Sequence, residues 1–398
     1  MDGQIDLFKA GKEKLRFDKP VRLIELFAGY GSQALALKYL GVPFEHWKIS
    51  EWAINSIQAY KDMHFYEDDH DYSHGIPIEE IRSYLAYRIS SDYDSPLDEN
   101  QVKRIPEKKC RTIYNNMKAS NNIGSVVLAK GTDLNIVDTD KFTYLLTYSF
   151  PCQDLSSAGK GAGMERGSGT RSGMLWEVER LLKETENLPQ ILLMENVPQV
   201  VADKNIRNFR EWIYFLESKG YTSEYAIINA KDCGVPQNRE RCFCISWLGD
   251  YYYDFPEKEP LTKRLKDVLE DEVPERYYLA ESTIESLIEH KRRHEEAGHG
   301  FGWKPTDGGG YAHCIKTEAT YRPDSNFITE EKDSAVIEPK VRIRYLTERE
   351  RFRLMGVHDE DFERVAKNQS RSSLCHLSGD SIVVDVLMRI FAKMKSDG

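Results

Sequence analysis

The chain has 398 residues, 40% of them hydrophobic and 30% charged, a balance that suits a globular protein with room for two domains. No apolar run reaches the length of a membrane span, and the polar start Met1-Asp2-Gly3-Gln4 does not resemble a signal peptide, so a cytoplasmic protein is expected. Seven cysteines, an odd number without a Cys-x-x-Cys pair, argue against a disulfide framework or a zinc knuckle, and the net charge of −10 argues against a protein that coats nucleic acid.

Val21 to Phe27 reads as the first parallel strand and Ala28-Gly29-Tyr30-Gly31-Ser32 as the tight turn behind it. Ser32 is expected to cap a helix whose apolar face is Ala34, Leu35, Leu37 and Leu40 and which ends at Gly41. Such a turn brings backbone amides close to an anionic or hydroxyl-bearing ligand. Gly29, Gly31 and Ala34 also satisfy the dinucleotide fingerprint, so a nicotinamide cofactor and an ordinary turn both stay open here. His46 to Ser50 reads as the second strand. It ends in Glu51, placed twenty positions after Gly31 where an acidic side chain reaches ribose hydroxyls, and in Trp52, which suits an adenine face. Residues 63–125 carry mixed charge and read as an inserted helical and loop segment, with Lys103, Arg104, Lys108, Lys109 and Arg111 available to phosphates. Gly124 to Ala129 resumes a strand pattern. It would set Asp133 and Leu134 at a strand end, suited to an adenine amino group and ring nitrogen, or else in a surface turn.

Phe142 to Tyr148 has the composition of a buried central strand and leads into Ser149-Phe150-Pro151-Cys152-Gln153. Pro151 ends the pairing and presents the Cys152 thiol at a rigid corner beyond the strand's carboxyl end, where open α/β sheets keep their sites. Cys152 reads as a nucleophile, with a buried structural cysteine as the alternative, and the glycines at 159, 161, 163, 167, 169 and 173 suit a lid. Met174 to Lys183 has helical spacing. Gln190 to Met194 is a further buried strand delivering Glu195, whose burial favours the protonated carboxyl and a contact to a substrate nitrogen. Cys242 to Trp247 is another strand, before which Arg239 and Arg241 alternate onto one face, as a paired guanidinium site or as a charged edge. Leu261 to Glu270 and Glu281 to His290 look helical, and loops around 298–304, 308–311 and 321–323 interleave aromatics, cations and glycines as groove-threading loops do. His290 and His294 stand four apart without a third ligand, so no metal site is expected.

Leu-Phe-Ala-Gly-Tyr-Gly, Pro-Cys-Gln, Glu-Asn-Val, Gln-Asn-Arg-Glu-Arg, Arg344-Tyr-Leu-Thr-Glu-Arg-Glu and Gly379-Asp-Ser-Ile-Val-Val occur in the order of the DNA cytosine-5 methyltransferase motifs. By these six blocks, spanning Val21 to Ile390, the chain resembles that family in its bacterial or phage type. The resemblance implies an α/β, Rossmann-like S-adenosylmethionine-dependent methyltransferase fold with a mostly parallel sheet, plus a smaller target-recognition domain. The implied boundaries are a catalytic domain over 1–250 with an insertion at 61–128, target recognition over 251–345 and a return segment over 346–398. It implies Cys152, Glu195, Arg239 and Arg241 as catalytic residues. Phe27, Gly29, Gly31, Glu51, Trp52, Asp133, Leu134, Asp380 and Ser381 would hold the cofactor, with Ser32 and Asp380 standing where many members carry glycine and asparagine. Double-stranded DNA is the implied partner of a monomer acting away from membranes, with a cognate restriction endonuclease beside it. RNA cytosine methylation and a catalytically silent DNA-binding relative are the alternatives.

Overall fold

The computed structural model describes residues 12–151, 155, 163–167, 171–298, 303–319, 322–331 and 341–395. They form two compact units: the first from described residues of Met1–Ile228, Glu240–Glu257 and Val386–Gly398, the second from those of Asn229–Arg239 and Lys258–Asp385.

The first unit is built on six strands: β1 (Val21–Leu26), β2 (Phe44–Ser50), β3 (Thr143–Tyr148), β4 (Ile191–Asn196), β5 (Tyr221–Asn229) and β6 (Glu240–Leu248), in the order β2-β1-β3-β4-β6-β5. Every residue of β1, β3 and β4 is buried, as expected of strands covered on both faces. β1 pairs in parallel with β2 and β3, and β3 with β4, whereas β6 runs antiparallel to β4. The register sets Leu26 against Ser50 and Tyr148, Tyr148 against Met194, and Asn196 against Cys242. One edge of the sheet therefore receives the carboxyl ends of four strands and the start of β6, so Phe27, Glu51, Ser149, Glu195 and Arg241 leave the sheet on the same side.

Helices α1 (Ser32–Leu40), α2 (Ile54–His64), α3 (Ile78–Leu85), α4 (Glu99–Lys103) and α5 (Glu107–Ala119) follow β1 and β2, and α6 (Leu175–Glu184) and α7 (Ile206–Ser218) flank β4. Ser32 does not cap α1. The cap position belongs to Gly31 at φ 83°, with Ser32 the first helical residue, while Gly41 ends the helix at φ 66° as expected. The inserted segment is helical and has its own core of Ile81, Leu85, Val102, Cys110, Ile113 and Met117, packed with Ile57 of α2. Trp212 of α7 is fully buried and donates its indole N–H to Tyr148 Oη at 3.1 Å, which fixes α7 on the sheet.

Gly124 to Ala129 is not a strand. Val126 and Val127 give their carbonyls to the Arg180 guanidinium instead of a neighbouring strand; Val126 and Ala129 pack into the core while Val127 and Leu128 between them face solvent, a spacing that does not follow the alternation of a strand. The last helix, Val384–Ala392, buries Leu387, Ile390 and Phe391. Tyr253 Oη donates to the Ile390 carbonyl at 3.1 Å, and the Phe17 amide donates to the Met394 carbonyl at 2.7 Å, so the end of the described chain packs beside its beginning.

In the second unit α8 (Glu281–Glu296) runs six residues beyond the expected end, and an antiparallel pair, β7 (Phe327–Glu331) and β8 (Val341–Tyr345), packs Phe327 and Ile343 with Leu287 and Trp303. Helices α9 (Glu348–Leu354), α10 (Asp359–Ala366) and α11 (Arg371–Asp380) complete it. Leu261 to Glu270 forms only the short turn Leu265–Val268. The Leu265 and Lys266 amides donate across to the Gly310 and Gly308 carbonyls, which takes away the donors a helix there would need. No helix among the described residues is long and apolar enough to cross a membrane.

Candidate active site

The turn after β1 is held in an unusual backbone shape. Phe27 and Gly29 lie at φ 59° and 56°, and the Phe27 and Ala28 amides donate to the Ser50 carbonyl at 2.8 and 3.3 Å. A left-handed non-glycine residue is strain that the surrounding bonds must impose, and such residues cluster at ligand sites. The Glu51 carboxylate stitches the two strand ends together: Oε2 accepts from the Gly29 amide at 2.8 Å and Oε1 from the Ala53 amide at 2.7 Å. These bonds hold an acceptor carboxylate in place. Gly31 is required for space as well as for φ, since a Cβ there would sit 2.3 Å from His64 Nε2 and 2.7 Å from the Tyr60 ring.

Behind this turn lies a buried polar cluster that the sequence did not announce. Glu25 of β1 is fully buried, accepts from the Ala34 amide at 3.3 Å, and takes the Tyr60 hydroxyl at 2.5 Å. Tyr60 Oη is also 2.9 Å from His46 Nδ1. His64 Nε2 lies 2.9 Å from the Tyr30 carbonyl, which can only accept, so that nitrogen carries the proton. Burial pushes the Glu25 carboxyl up to about 7 and His46 down to about 4, and it holds His64 well below its ordinary value. The signs oppose each other. The imidazoles lose stability as pH falls below the ordinary histidine value, because the unfolded chain takes up protons that the folded one refuses. Glu25 loses stability as pH rises from the ordinary carboxyl value toward 7, because the unfolded chain releases a proton that the folded chain retains. Glu25→Gln is therefore expected to steepen the acid loss of stability between pH 5 and 6.5 by about 1.4 kcal/mol per pH unit, one proton's worth. Urea unfolding at several pH values checks this, and an unchanged slope would mean that Glu25 is ionised throughout.

On the other side of the β1–β3 seam, Glu195 is the penultimate residue of β4, with 5% of its surface exposed. Its Oε1 is 3.1 Å from Arg241 Nε, and its Oε2 accepts from the Ser149 hydroxyl. Asn196 donates from Nδ2 to the Phe150 carbonyl at 2.9 Å, and the fully buried Ser172 donates to the Pro151 carbonyl at 2.9 Å. Two side chains thus fix the main chain up to the residue before Cys152. Cys152 itself and most of the following glycine-rich run lie outside the described residues. Ser149, Ser172 and Asn196 were not singled out from sequence: a serine or asparagine has no pattern of its own, and their partners are 46, 21 and 46 positions away.

The remaining expected site residues are dispersed among other environments. Asp133 and Leu134 sit in the short helical turn Gly131–Leu134 rather than at a strand end, and Asp133 Oδ2 accepts from the Lys130 amide at 2.8 Å. The Trp47 indole of β2 donates to the Leu134 and Asn135 carbonyls at 3.1 and 3.0 Å, tying that turn to the strand that ends before Glu51. Trp52 is half-buried and gives its carbonyl to Ser90. Arg239 does not act as the twin of Arg241. It belongs to the second unit, where its guanidinium donates to the Ile315, Gly379 and Ser381 carbonyls at 2.9, 2.9 and 2.7 Å, a bracing arrangement. Gly379 approaches Lys316 and Thr317 so closely that a Cβ would lie 2.4 Å from each backbone, while Asp380 is exposed at the end of α11, 3.3 Å from His376. Ser381 donates to the Leu377 carbonyl at 2.5 Å. No His, Cys, Asp and Glu cluster suited to a metal occurs among the described residues.

A mainly parallel α/β sheet with a glycine turn and an amide-bonded carboxylate at one group of strand ends, and a clamped carboxyl beside a proline corner at another, is the arrangement of a Rossmann-like methyltransferase. Residues 102–396 match the family model described as C-5 cytosine-specific DNA methylase. The chain is 34% identical over 389 residues to the type II methyltransferase M2.ScrFI of Lactococcus lactis subsp. cremoris, covering 94% of this chain and 99% of that one. It is 33% identical over 393 residues to the orphan methyltransferase M.SssI of Spiroplasma monobiae, covering 94% and 97%. The solved structure of the S. pombe Dnmt2 methyltransferase matches with a TM-score of 0.62 at 18% identity, over 94% of this chain and 98% of that one, a likeness of fold. The chain belongs to the C-5 cytosine-specific DNA methylase family and is a DNA cytosine-5 methyltransferase.

Proposed function

We propose that this enzyme methylates C5 of a flipped-out cytosine in a specific double-stranded DNA sequence, with Cys152 as the covalent nucleophile and S-adenosylmethionine as the methyl source. Carrying the reading is the clamped carboxyl of Glu195, held by Arg241 and Ser149 at the sheet edge where Phe150 and Pro151 are fixed just before Cys152. Cytosine C5 is a poor nucleophile. The Cys152 thiolate forms a bond to C6, and the displaced ring electrons reach N3, where Glu195 stabilises them by a hydrogen bond or proton. Arg241 orients that carboxyl and offers a guanidinium to the O2 side of the base. C5, now electron-rich, takes up the methyl group; loss of the C5 proton then returns electrons to the ring and expels the thiolate. Because C6 is out of reach in a stacked duplex, the base must leave the helix, at a cost of a few kcal/mol that DNA contacts offset.

S-adenosylmethionine supplies an electrophilic methyl on a sulfonium. Glu51 suits its ribose hydroxyls, with Gly29 and Gly31 giving close backbone approach, Phe27 and Trp52 apolar faces, and Asp133 with Leu134 the adenine edge; Asp380 and Ser381 are assigned to the cofactor by resemblance. Arg239 acts as a brace of the second unit. Similarity to a type II and to an orphan bacterial methyltransferase supports a cytoplasmic modification enzyme with a cognate restriction endonuclease as its proposed partner, and a monomer is the proposed state.

The test offers the purified protein duplex DNA and tRNA with labelled cofactor, and separately DNA carrying 5-fluorocytosine, whose C5 substituent cannot leave as a proton does. Methyl transfer to duplex DNA and a stable adduct that Cys152→Ser abolishes are expected. Methylation of tRNA in preference to DNA, or an adduct that survives Cys152→Ser, would overturn the proposal.

A further inference from the structure

The segment between α2 and the Gly131–Leu134 turn has no counterpart in the chemistry above, yet its main chain and side chains converge on the short stretch that follows β2. Asn122, 4% exposed, pairs with Glu51 as a neighbouring strand's peptide would: Oδ1 accepts from the Glu51 amide at 3.2 Å, and Nδ2 donates to the Glu51 carbonyl at 2.9 Å. The same Oδ1 accepts from the Gly124 amide at 2.8 Å, and the Gly124 carbonyl takes the Ser50 hydroxyl at 2.7 Å. One residue on, Ser90 accepts from the Ile54 amide at 2.9 Å and donates its own amide to the Trp52 carbonyl at 2.7 Å. Ile123 donates to the Ile49 carbonyl at 2.9 Å. β2 is an edge strand, so without these partners the backbone from Ile49 to Ile54 would meet water on its open side.

The contacts are specific in place. They grip Ile49, Ser50, Glu51, Trp52 and Ile54, the residues that aim the Glu51 carboxylate toward the Gly29 and Ala53 amides. Behind them stands the insertion's apolar core, continuous with Ile57 of α2, and Asn116 adds a bond to Gln58 at 2.8 Å. A carboxylate that must receive two hydroxyls gains from being fixed before the ligand arrives, because ordering it on binding would subtract from affinity.

We propose that Asn122 is a positioning residue for the cofactor's ribose, and that the insertion is a brace that presets the Glu51–Trp52 corner. This rests on the reading that Glu51 binds ribose hydroxyls. Asn122 acts through Glu51 and touches no ligand.

Isothermal titration of the full-length protein tests it with two ligands, S-adenosylhomocysteine and its 2′,3′-dideoxy analogue. Wild type should prefer the hydroxyl-bearing ligand. Asn122→Ala should weaken that ligand by about tenfold, the loss of a buried hydrogen-bonded pair, while leaving the dideoxy analogue within about twofold. Asn122→Asp, which keeps the acceptor and loses the donor, should fall between. An equal loss for both ligands would mean general damage to the fold and would overturn the proposal, as would no loss for either. If wild type binds S-adenosylhomocysteine but does not distinguish the two ligands, the assignment of Glu51 to ribose fails and the brace has nothing to position.

Discussion

Glu195→Gln is expected to lower the rate of methyl transfer at saturating DNA by about 10³-fold, within the range that a positioned acid or hydrogen-bond donor contributes. The carboxamide fills the same volume and can still contact the cytosine edge, so DNA binding should change little. What it lacks is the ability to deliver a proton to N3 and to pair with Arg241, 3.1 Å away. Arg241→Met should cost less, about 10- to 100-fold, because it removes the partner that orients the carboxyl and not the carboxyl itself. The double variant should be little worse than Glu195→Gln alone, since residues acting as one unit are not additive. Single-turnover transfer from labelled cofactor measures all three. A Glu195→Gln enzyme within tenfold of wild type would remove Glu195 from the chemistry, and an additive double variant would mean that Arg241 works independently of it.

The parts of this site that could be read from the sequence are those whose signal is local. Val21–Leu26 and Ile191–Asn196 are short apolar runs in which even the charged or polar members are buried, and the glycine turn with Glu51 twenty positions on is a spacing. Gly124 to Ala129 has the composition of a strand but the wrong surroundings: the Arg180 guanidinium occupies its carbonyls, and a composition cannot reveal that. Arg239 and Arg241 are two apart, which on a strand means one face, yet the strand begins only at Glu240 and Arg239 bonds three carbonyls more than seventy positions away. The least legible elements are single polar residues. Asn122 and Glu51 are 71 positions apart and Tyr60 and Glu25 are 35, with nothing in either stretch to mark the pair.

The largest stability effect is expected in the second unit, at Arg344. This side chain on β8 has no exposed surface, and its Nη1 and Nη2 donate to the two carboxylate oxygens of the equally buried Glu350, each at 2.9 Å, while Nε reaches Glu330. Burial disfavours the charge, but these partners more than compensate and hold the guanidinium above its ordinary value. Glu350 has a second duty: its carboxylate accepts from the Thr347 amide at 2.8 Å at the start of α9 and from the Glu270 amide at 2.9 Å. Glu350→Leu would strand both a buried cation and two amides. We expect a loss of about 3–5 kcal/mol, the cost of breaking a buried pair from one side, and a fall of about 10 °C in the unfolding temperature. Arg344→Met in the same chain should recover part of the loss by removing the stranded charge, but not all of it, because the amides at Thr347 and Glu270 stay without their acceptor. Calorimetry of the two variants separates the duties of Glu350. Full recovery in the double variant would assign everything to the ion pair, whereas no recovery would place the whole cost in the helix start and the Glu270 amide.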